Sequence, residues 1–111
     1  MTTGNLRRRF ERLNRLYWDS SLPVPKFVII PAGQKGAVML CGDWGGYEKL
    51  PDGHLIEIRA MSSDVHDTFL NATLLHEMIH LEIGPQHAHR SRKWRAAVRR
   101  IGERGAMIEV L

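Results

Sequence analysis

Apolar residues recur at helical spacing near the start of the chain. Leu6, Phe10, Leu13 and Tyr17 fall at i, i+4, i+7 and i+11, with Leu16 and Trp18 beside them, and this predicts an amphipathic helix over residues 5–18. The run SSLPVP then ends it. KFVII, before Pro31, is short and β-branched, the pattern of a buried strand. GAVMLCGDW (36–44) and HLIEIRA (54–60) each predict a further strand, separated by GGYEKLPDG, whose glycines and Pro51 mark a long hairpin-like loop. From Asp64 or Asp67, either of which can serve as N-cap, Phe69, Leu70, Leu74, Leu75, Met78, Ile79 and Ile83 nearly surround a helix. A helix apolar on most sides belongs in a core. Gly84 and Pro85 stop it, and after PQHAHR, Ser91 is an N-cap for a last helix with Trp94, Ala97, Val98 and Ile101 inside and Arg and Lys outside. Gly102 or Gly105 ends that helix, leaving AMIEVL as a tail or an extra short strand.

The expected fold class is therefore α+β: an N-terminal helix, a small three-stranded, mainly antiparallel sheet, a core helix and a C-terminal helix. With 111 residues, 43% of them hydrophobic, there is material for one core, so residues 1–111 are expected to form a single domain. Cys41 is the only cysteine and has no CxxC neighbour, which argues for a reducing compartment and leaves His, Asp and Glu as the donors for any metal. Arginines stand where a secretory leader needs its apolar run, and no stretch is long enough to span a bilayer. The expectation is a soluble, cytoplasmic, monomeric protein with no membrane partner.

Net charge is +4, with Arg at 7–9, 12 and 15 and again at 90, 92, 95, 99, 100 and 104. Two basic helix faces suggest non-specific contact with a polyanion, DNA being the usual one. Solvated Arg-rich faces are equally common, so charge alone does not decide the point.

The candidate chemistry lies in HEMIH, residues 76–80. Residues four apart on a helix share a face with Cβ atoms roughly 6 Å apart, so His76 and His80 can both place a ring nitrogen on one metal ion. Glu77 is next to His76 but off the line joining the two ligands. That arrangement suits a zinc hydrolase: neutral imidazoles hold the ion, the ion acidifies water, and the adjacent carboxylate takes the proton. The motif also sits in the most apolar helix of the chain, where two His and a Glu are costly to bury without a partner. The competing reading is a pair of hydrogen-bonded core histidines. A third protein ligand is usual at such a site. Glu82 points away, about 200° around the helix from His80. His54 is in a strand and His66 precedes the helix, both read as ordinary surface or capping residues. His87 and His89 follow the chain reversal at Gly84, and spacing does not choose between them.

FERLNRLYWDSSLPVPKFVI, the strand HLIEI, the block TLLHEMIHL, and a late histidine ahead of W-x-x-x-V-x-x-I together resemble the SprT-like (Spartan-type) zincin metalloprotease domain, over nearly the whole chain. The resemblance implies a minimal zincin-like fold and a zinc-dependent metalloendopeptidase. It implies Zn2+ on His76, His80 and His89, with His87 as the alternative third ligand, and Glu77 as general base and later proton donor to the leaving amine. In that family the aromatic residue follows the third histidine by four; here Trp94 is five after His89 and seven after His87. The implied partner is a protein or peptide, paired in extended form with the sheet edge, and relatives act on proteins crosslinked to DNA. Two other readings stand beside it: a basic nucleic-acid-associated module with little turnover, and a metallohydrolase acting on a non-peptide bond.

Other residues carry smaller expectations. Asn14 is read as a structural hydrogen-bonding residue and Trp94 as core of the last helix. Trp44 and Tyr47 are candidates to line a cleft entrance, Cys41 is read as inert within a strand, and Arg95, Arg99 and Arg100 as phosphate-touching or solvated.

Overall fold

The computed structural model describes residues 1–62 and 67–106. The elements are α1 (Thr3–Trp18), β1 (Lys26–Ile30), β2 (Gly45–Leu50), β3 (Gly53–Arg59), α2 (Asp67–Ile83) and α3 (Arg92–Glu103), an α+β arrangement. Asp64 and His66, and residues 107–111 of the terminal AMIEVL, lie outside the described residues.

Helix α1 starts earlier than its apolar periodicity, because the Thr2 side chain accepts the Asn5 N–H and so satisfies a first-turn donor. It ends where Asp19 enters the left-handed region at φ 51. Asn14 then fixes the exit: its Nδ2 donates to the Leu22 carbonyl at 3.1 Å and its Oδ1 accepts the Leu22 N–H at 3.2 Å, both in the interior. This two-way bond folds the SSLP turn back onto the helix, the structural role expected of it.

The sheet corrects two expectations. It is mixed, not mainly antiparallel: the order is β1-β3-β2, with β1 parallel to β3 and β2 antiparallel to it. The predicted strand at 36–44 and the predicted loop at 45–53 are also exchanged, since GGYEKL is β2 and residues 36–44 form no strand. The topology supplies the reason. Because β1 and β3 run the same way, the chain leaving β1 must cross the end of β3 to begin β2 on its far side, and residues 31–44 make that crossing. The glycines that signal a loop serve close packing instead: a Cβ on Gly46 would lie 2.9 Å from the Met39 side chain. Pro51 and Asp52 alone make the hairpin turn, with Leu50 opposite Gly53.

Strand β3 is buried on both faces. Ile56 and Ile58 join Tyr47 and the helices in the main core with Phe10, Leu74, Met78, Ile79, Trp94 and Ile101. The opposite face carries Glu57 and Arg59, which hold the crossing segment. Glu57 accepts the N–H groups of Ala37, Val38 and Met39 at 2.7, 2.8 and 2.9 Å. Arg59 donates to the carbonyls of Asp43, Pro31 and Leu40. A segment without strand partners thereby has its buried backbone groups satisfied by side chains. Cys41 sits in this crossing, exposed, its thiol donating to the Gly33 carbonyl, and not in a strand. No helix among the described residues is long and apolar enough to cross a membrane.

Candidate metal centre

Helix α2 presents His76 and His80 one turn apart, their rings 5.2 Å from centre to centre. Gly84, at φ 96, ends the helix with its N–H on the His80 carbonyl, and the loop to α3 doubles back. Ser91 then starts α3 by accepting the Trp94 N–H. This reversal brings His89 to the pair: its Nε2 lies 2.9 Å from the Nε2 of His76 and 2.9 Å from that of His80. His87 is outside the cluster, with its Nε2 3.4 Å from the Gln86 amide.

The donor chemistry of the cluster fits a cation. A neutral imidazole nitrogen either carries one hydrogen or offers one in-plane lone pair, so His89 Nε2 cannot make a full hydrogen bond with both neighbours. A metal ion among the three satisfies all of them: nitrogens bound tetrahedrally at zinc distances are about 3.3 Å apart, His89 Nε2 is within a few tenths of an ångström of that from each neighbour, and the three donor atoms all lie within 4.8 Å of one another. His76, His80 and His89 can thus hold a metal ion. Burial, followed by the neighbouring imidazoles, pulls the pKa of His76 and of His80 down to about 4. Their lone pairs are free at neutral pH.

Glu77 is 5% exposed, and among the described residues its carboxylate accepts no hydrogen bond. Burial first, and the charge of Asp43 second, push its pKa up to about 8. A cation placed beside it acts in the opposite direction. Gly45 lets β2 approach this group: a Cβ there would lie 2.9 Å from Glu77 Oε2. Glu77, His76 and His89 open on one cleft of about 980 Å³, bounded by Asp43, Trp44 and Gly45 on one side and by Phe69 and Thr73 of α2 on the other.

Trp94 does more than fill the core of α3. Its ring stands 4.7, 4.8 and 4.7 Å from those of His76, His80 and His89, forming the floor on which all three pack. The signal for it was present in the helical inner face, but not which rings it would meet. Tyr47, expected in a loop, is buried in β2, lies almost parallel to the His80 ring at 6.4 Å and bonds His54 Nδ1 at 2.8 Å. His54 is accordingly a partly buried partner of Tyr47. Trp44 does line the cleft. Glu82 faces away from the cluster, taking the Trp18 indole N–H at 2.7 Å and the Arg100 guanidinium. Burial opposes its charge, but these donors outweigh it and hold the carboxyl below its usual range. Arg100 is therefore ion-paired within the fold.

Comparison of the chain with protein-family models, with curated proteins and with solved structures finds no match.

Proposed function

We propose that the chain is a zinc-dependent metalloendopeptidase of minimal zincin type. One observation carries the reading: Glu77, a buried carboxylate with no hydrogen-bond partner among the described residues, lines the same open cleft as His76 and His89 of the three-imidazole cluster. Zinc is the ion best suited to three neutral imidazoles with a further position open, and when bound it supplies a Lewis acid that lowers the pKa of water and polarises a carbonyl. His76, His80 and His89 would hold it, and Trp94 fixes the planes of their rings. Glu77 accepts the proton of the attacking water and returns it to the leaving amine, a role suited to a carboxyl whose pKa burial has moved toward neutrality.

The substrate is a protein or peptide in extended form. Strand β2 is an edge of the sheet. Arg59 donates its N–H to the Trp44 carbonyl, so antiparallel alternation turns the backbone groups of Gly45 and Tyr47 outward, available to an added strand. The test is metal analysis of the purified protein with cleavage of an unfolded protein substrate. One zinc per chain and cleavage lost in Glu77→Gln support the reading. Absence of zinc, or cleavage unaffected by that substitution, overturns it.

A second observation favours contact with a polyanion. Arg90, Arg92, Lys93, Arg95 and Arg99 form no ion pair among the described residues, whereas Arg100 and Arg104 do. This surface suits non-specific DNA contact, either bringing DNA-bound proteins to the cleft or, in the alternative reading, making the chain a basic binding module with little turnover. Affinity for duplex DNA measured against salt concentration checks it, because a flat log-log slope removes the basic face from the account.

A further inference from the structure

The cleft has a wall that the hydrolytic chemistry does not use. Trp44 and Phe69 meet edge to face at 5.4 Å and 89°. They are 46% and 42% exposed, and among the described residues no other large aromatic side chain is so exposed. Exposed rings in contact across a cleft leave apolar area in water that a ligand can cover, at roughly 25 cal/mol per Å². The pair is also continuous with the metal cluster: Phe69, Thr73 and His76 follow at i, i+4 and i+7 on one face of α2 and all line the cleft. Seven residues of helix span about 10 Å, the length of about three residues of extended peptide. On the opposite side Trp44 immediately precedes Gly45, which packs against Glu77. The acidic groups lining the cleft are Asp43 and Glu77, and among the described residues no Lys or Arg lines it.

We infer that Trp44 and Phe69 form a specificity subsite for a large apolar side chain, aromatic or branched aliphatic, within three residues of the cleaved bond, and that the neighbouring Asp43 disfavours acidic side chains there. This rests on the peptidase reading and names its substrate class. Such side chains are mostly buried in folded proteins, so the site selects unfolded or locally opened polypeptide.

The test uses a peptide series differing at one position (Leu, Phe, Ala or Glu), cleaved by the wild-type protein with product mapping, and bound to the Glu77→Gln protein by fluorescence anisotropy. Leu and Phe peptides should exceed the Ala peptide about tenfold in kcat/KM, with the same ranking in binding and the Glu peptide lowest. Trp44→Ala and Phe69→Ala should each collapse the Leu-to-Ala ratio toward one, chiefly through KM. Leu16→Ala, an exposed apolar change outside the cleft, should leave the ratio intact. Folding of each variant is checked by circular dichroism and zinc content. Cleavage without apolar preference, or a ratio that survives both substitutions, overturns the subsite while leaving the peptidase reading standing. Apolar-selective binding to Glu77→Gln with no cleavage by the wild type keeps the subsite and overturns the peptidase.

Discussion

Two glutamates are buried almost equally, Glu57 at 2% and Glu77 at 5% exposure, and they stand in opposite circumstances. Glu57 spends both oxygens on three backbone N–H groups and holds the crossing segment to the sheet. Among the described residues Glu77 has no such donor, and its pKa is driven up by burial and by Asp43. Burial of a carboxylate is thus not in itself a mark of function. What distinguishes the two is whether the partner of the charge belongs to the chain or must come from outside it.

Matched substitutions sharpen that contrast. Glu77→Gln should lower peptide hydrolysis by about 10³-fold with zinc content retained. It should also change how stability depends on pH in the metal-free protein. The Glu77 pKa is raised in the fold, so its contribution to stability is complete below about 4.5 and is lost as pH rises toward about 8. Urea unfolding of the metal-free Gln variant should lack that alkaline loss; an unchanged profile would mean that Glu77 is not held as described.

His89→Ala should weaken zinc binding by more than about 100-fold, beyond what outer-shell changes usually cause, whereas His87→Ala leaves affinity near wild type. Competition with a chelator measures both, and equal effects would dissolve the cluster as drawn. Glu57→Gln should cost about 3 kcal/mol of stability by urea unfolding, while the folded fraction retains zinc. If it instead abolishes activity without destabilisation, the division between the two glutamates fails.

Acid removes stability through the histidines as alkali does through Glu77. Their pKa values are depressed in the fold, so the metal-free protein should lose stability as pH falls from about 6.5 toward about 4. Bound zinc should be released over an acid range as well. The smallest effect belongs to Asn14→Ala, about 1–2 kcal/mol with no change in zinc affinity. A change in affinity would tie the α1 exit to the metal end of the molecule.

Much of this was legible before any coordinates. The helices, their caps at Ser91 and Gly84, the buried strand 54–60 and the pairing of His76 with His80 follow from period, capping chemistry and helical geometry, all of which act within a few residues. The middle of the chain was misread because glycine is ambiguous there. In β2 it permits close approach of Glu77 and Met39, and locally that looks the same as a turn. The missed crossing segment is held by Glu57 and Arg59, about twenty residues away, and no local pattern reports such bonds.

The sequence by itself determined that two imidazoles share a helix face, that a carboxylate stands beside them, and that a chain reversal follows with two further histidines. Only the tertiary structure decided that His89 enters the cluster while His87 stays out, that Trp94 is the floor beneath all three rings, and that Glu57 is satisfied while Glu77 faces a cleft. Helical spacing is fixed by bonds four residues long. Whether a buried charge finds its partner depends on which distant backbone the fold brings to it.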